Sequence, residues 1–386
     1  MENTSTCARL LRTLVVVGIA IPGAGACSSD PTAPGNETAA ASTGSGAAGS
    51  GAAGSGTGGS DPGAGGSMGA GGSTGAGGST GSGGSSPVAG SSPVIAGCGI
   101  FPANDPWNQP VPDAAPVDAA WTSKLYQNAT LKKLHPDFGT EFGIPYNVVP
   151  ANQAPLPMTF DYDDSDPGPY PFPGAGAKIE GGTPDACDGD CHVLSLVQGT
   201  CALYEAWNCH FAGNAWTCGS GAKFDLRKVG AGQRPKKWTS ADAGGLAILP
   251  GLVRYDEVAA GAVKHAIRFT MHCTQDGFVY PASHQAVPTC AKCCPANIAS
   301  AALRADYPPM GLRVRLKKGY AVSGMPTQAR IVAEAMQTYG MILADNGSDY
   351  FFQGDPNPGW NDEQLNALKN IPGDQFEVIT PGAIER

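Results

Sequence analysis

The stretch Trp238–Thr270, WTSADAGGLAILPGLVRYDEVAAGAVKHAIRFT, gathers the densest set of side chains able to do chemistry. Asp242 stands in an Ala/Gly-rich turn ahead of the apolar run Leu246 to Leu249, and Arg254, Asp256 and Glu257 follow the Pro250-Gly251 break. Glycoside hydrolysis needs paired carboxylates, one as general acid and one as nucleophile or base at a fixed separation. Asp242, Asp256, Glu257, Glu180 and Asp345 are the candidates, each beside apolar or Gly-rich sequence able to hold it in a cleft. Each also has a plainer reading: Asp242 caps a turn, Asp256 and Glu257 pair with Arg254, and Asp345 sits in a hairpin turn. His192, His265 and His272 are acids, bases or ligands by type, although a histidine on an alternating strand is more often a hydrogen-bonded core residue. Val263 to Thr270 alternates, so His265, Ile267 and Phe269 share one face and Ala266, Arg268 and Thr270 the other. Only one of His265 and Arg268 can then point into a cleft on a given side, and Arg268, beside Thr270, is the one expected to be wet. Tyr170, Trp238, Tyr255 and Trp360 are the aromatics expected to stack on sugar rings.

The elements that must position these groups are short strands broken by Gly and Pro. Strands are predicted at His192 to Val197, Ala202 to Trp207, Ala222 to Leu226, Val263 to Met271 and Leu312 to Leu316, and a last one at Phe376 to Ile379. The strand at Tyr146 to Val149 has His135 and Asp137 beside it. YGMILADNGSDYFF reads as two strands joined by a tight turn at Asn346-Gly347. Helices are expected within Ala119 to Leu134, at Thr327 to Thr338 after the Pro326 start, and at Asn361 to Asn370. This pattern predicts a mainly β, sandwich or jelly-roll-like single domain with a few short helices.

Composition divides the 386 residues in two. No Phe, Trp or Tyr precedes Phe101, and residues 28–96 are Gly/Ser/Ala/Thr near-repeats such as GAAGS and GAGGST, too polar and too small to bury a core. That segment is expected to be a disordered tether, reaching about 45 Å for roughly 70 residues. Residues 1–27 read as an export signal: Arg9 and Arg12, an apolar core from Leu14 to Ile21, and a small-residue end at Cys27. Ala24-Gly25-Ala26-Cys27 resembles the lipobox of bacterial lipoproteins, with Ala24 where Leu is usual. It implies a lipid anchor on Cys27 as the link to a membrane. Ser28, rather than Asp, points to the outer membrane; plain secretion is the other reading. Residues 97–386 form the globular part.

Twenty-four Lys and Arg against 33 Asp and Glu leave the chain mildly acidic, which argues against a nucleic-acid partner. Ten of the 12 cysteines lie from Cys98 onward, an even number that favours disulfides in an exported chain. Cys290-Ala-Lys-Cys293-Cys294, near His272 and His284, is loosely zinc-like, but no second spaced pair completes a four-ligand set, so no metal is assigned. Ser240 and Ser348 lack the G-x-S-x-G elbow of a serine hydrolase. No phosphate-binding loop, dinucleotide fingerprint or HExxH is present, and no cofactor is expected.

The strings HPDFG, SDPGPYPFP, IEGG, GSGAKFDL, WTSADAGGL, PGLVRYDEVAAG, HAIRFT, PPMGLRVRLK and YGMILADNGSDYF together resemble a family of secreted actinobacterial and myxobacterial proteins without an assigned function. The resemblance covers most of residues 98–380 and implies export and a shared fold; it hands over no catalytic residue. Cys187, Cys191 and the Cys290 to Cys294 insertion depart from it. The functional expectation is a surface or secreted domain acting on an extracellular polysaccharide as a glycoside hydrolase. The alternative is a non-catalytic glycan-binding or adhesive lipoprotein.

Overall fold

A computed structural model of the chain describes residues 92–286, 294, 298 and 300–386. Cys27, most of the Gly/Ser segment, Cys290 and Cys293 lie outside the described residues, and with them the lipid-anchor and zinc-like expectations. The described part is mainly β, as the strand pattern predicts, with several sheets, one of them curled into a half-barrel. No helix among the described residues is long and apolar enough to cross a membrane.

The largest sheet has six strands in the order Phe376–Val378, Arg313–Leu316, Met341–Asn346, Ile267–Met271, Phe351–Gln353, His135–Asp137. Ile267–Met271 runs parallel to Met341–Asn346 on one side and antiparallel to Phe351–Gln353 on the other. A strand enclosed this way needs side chains that tolerate burial on both faces, and all five of its residues are buried. Two expectations fall here. Arg268 is not the wet side chain of an alternating strand, because both faces are covered. Nor do Met341–Asn346 and Phe351–Gln353 pair as a hairpin across Asn346-Gly347, because Ile267–Met271 lies between them. The helix Thr327–Thr338 has the bounds its periodicity predicts; it packs on Arg313–Leu316 and buries Ile331, Val332, Ala335 and Met336.

A second sheet of four strands runs Ser220–Asp225, Ala202–Trp207, Val193–Val197, Tyr146–Val149. Period-two alternation gives it a core on each face. Leu194, Leu196, Leu203 and Phe224 join the apolar cluster that also holds Ile267, Phe269 and Leu343. Val193, Ala206 and Tyr204 face a smaller cluster built on Tyr170, Phe172 and Trp216. Four disulfides join Cys98 to Cys201, Cys187 to Cys191, Cys209 to Cys218 and Cys273 to Cys294.

Candidate functional site

Arg268, buried on the central strand of the six-stranded sheet, is the hub of the densest polar cluster. Its guanidinium grips both carboxylate oxygens of Asp242, with Nε donating at 3.0 Å, and donates through Nη1 to the Gln353 side chain. Asp345 Oδ2 stands 3.8 Å from Nη2. Neighbouring strands supply Gln353 and Asp345, and the second is aimed by an irregularity. Phe269 pairs with Leu343, but Thr270 pairs with Asp345, so Ala344 is an extra residue in the ladder. Such a bulge turns the next side chain away from the position regular pairing would give it. The Ala344 carbonyl accepts from Gly244 N–H at 2.8 Å, and a Cβ on Gly244 would meet that carbonyl oxygen at 2.8 Å. Glycine at 244 therefore lets the Asp242 loop lie against the bulge. Asp345 Oδ1 accepts from the Ala243 and Asn346 amides, which closes loop and strand together.

The opposing wall comes from the entrance to the four-stranded sheet. His192 directly precedes Val193–Val197, and its Nδ1 lies 2.5 Å from Glu180 Oε2, while the Glu180 amide donates to the His192 carbonyl. Nε2 of His192 is 3.3 Å from the Ala241 carbonyl oxygen. The Cys187–Cys191 disulfide closes the loop just ahead of His192. Burial works against charge on His192, but the Glu180 carboxylate and its hydrogen bond outweigh it and raise the imidazole to about 9. Burial first, then the Asp242 charge, lifts Asp345 to about 8 against the pull of Arg268. His192 and Asp242 are buried, whereas the side chains of Asp345 and Glu180 keep 18% and 23% of their surface, so solvent reaches the cluster through those two. Asp137, exposed on the edge strand, stands opposite Gln353 in the sheet and feels the charges of Glu180, Arg268 and Asp190.

Of the six residues predicted to be catalytic, Asp242, Arg268 and Asp345 therefore meet. Asp256, Glu257 and His265 join another network around buried Arg254. Glu257 accepts from Arg254 Nη2 at 2.5 Å and lies 3.0 Å from His265 Nε2, while Asp256 is exposed and 3.7 Å from Arg254 Nε. The pairing of Asp256 and Glu257 with Arg254 is the plainer of their two readings. Among the aromatics, Tyr170 and Trp360 are buried and present no open face; their polar atoms donate to the Asp166 and Asp355 carbonyls. Tyr255 packs edge-on against Trp360, and Trp238 lies under the Arg234 guanidinium. His272 pairs with Asp349. Sequence reasoning missed Asp137, Gln353 and the aromatic pair of exposed Tyr162 and half-buried Trp207, whose rings stack 6.2 Å apart. It also missed Glu205, fully buried and lifted to about 7 by that burial, against the Leu249 and Ile248 amides it accepts from. The EAW of a strand carries no local mark of such a role. Chemically, the cluster offers fixed carboxylates at a solvent edge and a histidine oriented by a carboxylate. Compared with protein-family models, curated proteins and solved structures, the chain finds no match.

Proposed function

We propose that the domain acts on an extracellular polysaccharide at the edge where Asp137, Glu180 and Asp345 surround Arg268. The observation that carries this reading is that three carboxylates from separate elements, each reached by solvent, all act electrostatically on the buried Arg268. Asp137 and Glu180, which feel each other's charge, are the pair proposed for the acid and the nucleophile or base of glycosidic cleavage. Asp242 is excluded from that pair because it is fully buried and both its oxygens are held by Arg268; it positions the site instead. Asp190 extends the edge toward a sugar-binding face. Its charge reaches Asp137, and its carboxylate accepts from Trp207 Nε1 at 3.4 Å; Trp207 stacks on half-exposed Tyr162. An exposed Tyr162 ring backed by half-buried Trp207 beside carboxylates suits a pyranose, which has an apolar face and a hydroxylated edge. The four disulfides support an oxidising, extracytoplasmic setting. Export and a Cys27 lipid anchor to the outer membrane belong to the same proposal.

The test is a polysaccharide panel with the purified protein, followed by Asp137→Asn and Glu180→Gln on any substrate found. Each variant should remain folded by circular dichroism and lose at least about 10² in rate, the low end of general acid–base contributions. Binding without cleavage, unchanged in both variants but lost in Trp207→Ala, would instead establish a non-catalytic glycan-binding module on the Tyr162–Trp207 face.

A further inference from the structure

We propose that His192, Asp242 and Asp345, with the carbonyl of Ala241, bind one divalent transition-metal ion of the zinc or manganese type. A ligand atom from each of the three side chains lies within 4.8 Å of the others. Ligand atoms held tetrahedrally at about 2.0–2.2 Å from an ion lie about 3.3–3.6 Å from one another, so the three side chains draw inward when the ion binds.

The histidine carries the argument beyond a count of acids. With Glu180 on Nδ1, that nitrogen bears the proton and Nε2 is turned inward, the arrangement by which metal-ligating histidines are oriented through a carboxylate on their other nitrogen. Nε2 then faces the Ala241 carbonyl oxygen at 3.3 Å. Two lone pairs directed at each other need a positive centre between them, which a proton on Nε2 or a metal ion can supply. The charge around the point favours the larger cation: Asp137, Glu180, Asp190 and Asp242 are set against Arg268. One nitrogen among oxygen donors suits zinc or manganese better than calcium, which takes oxygen shells. Asp345, partly open to solvent, is the way in. No motif announces the set, because its members stand 50 and 103 residues apart along the chain.

The full chain, stripped with EDTA and kept free of reductant, is titrated with zinc, manganese and calcium chlorides by calorimetry and by thermal unfolding. No glycan is present, so the outcome is independent of the polysaccharide reading. One zinc or manganese ion per chain should bind and raise Tm. Asp345→Asn and His192→Gln should each weaken binding at least about 10-fold, the scale on which even outer partners of a metal act. Lack of one-to-one binding by either ion, tighter binding of calcium, or wild-type affinity in Asp345→Asn would each overturn the site. Should His192→Gln fail to fold, Asp345→Asn decides alone.

Discussion

A guanidinium cut off from water has to be answered by its neighbours, and Arg268 and Arg254 show two ways of doing it. Arg268 is met by Asp242, Gln353 and Asp345. Arg254 has Glu257 on Nη2, while its Nε and Nη1 have no hydrogen-bond partner among the described residues. Glu257 thus links Arg254 to His265, and the network depends on it. His265→Ala is expected to cost about 2–4 kcal/mol, from the cavity left and the partner taken from Glu257. Asp256→Asn, on an exposed side chain, should stay within about 0.5 kcal/mol of wild type. Urea midpoints of the two variants check both. The residue types of the cluster are legible in the sequence, since Asp242 beside glycines and Asp345 after an apolar run mark carboxylates held in tight backbone. The facing of Arg268 is not, because alternation says which side chains share a face and is silent on what covers that face. For Asp256 and Glu257, a cation two or three positions away was the stronger local signal.

Some elements come out with the bounds read from local pattern, Ala202–Trp207 and Thr327–Thr338 residue for residue, whereas the strand expected at Val263 to Met271 begins only at Ile267 and leaves His265 outside it. Pairing between elements does not come out as read, since a strand from some 70 residues upstream enters between Met341–Asn346 and Phe351–Gln353, and no turn signal at Asn346-Gly347 can exclude it. The bulge at Ala344 is equally invisible, being a property of two strands together. Glu205 shows how such contacts set stability. From the middle of Ala202–Trp207 it accepts from Ile248 at 2.8 Å and Leu249 at 2.9 Å, fixing the head of the turn Leu249–Gly251 to the sheet. Burial raises its pKa from 4.5 to about 7, so the folded state holds the proton more tightly than the unfolded chain. Its contribution is therefore full below about pH 4.5 and is lost as pH rises through about 7, an effect on the order of 3 kcal/mol. The stability difference between wild type and Glu205→Gln, followed by chemical denaturation from pH 4 to 8, should fall by that amount across the window. A difference independent of pH would show that the carboxyl is ionised throughout.

At the scale of the whole molecule, the Cys98–Cys201 bridge closes the longest covalent loop among the described residues, 103 positions. In the chain-entropy description a loop of that size contributes about 4–5 kcal/mol, so the Cys98→Ser/Cys201→Ser double variant should lose a stability of that order in guanidinium titrations without reductant. An even cysteine count foretells bridges; which cysteines meet is decided by the fold. The bridge also divides the site. Asp137, Glu180 and His192 lie inside the loop, whereas Asp242, Arg268 and Asp345 lie beyond it. When the chain is pulled by its two ends, load from the N-terminal side passes the short pairing of Val94–Ile95 with Cys98–Gly99 and then crosses the sulfur–sulfur bond to Cys201. Tension bypasses everything between the two cysteines, so one wall of the cluster is mechanically shielded while the other bears the strain.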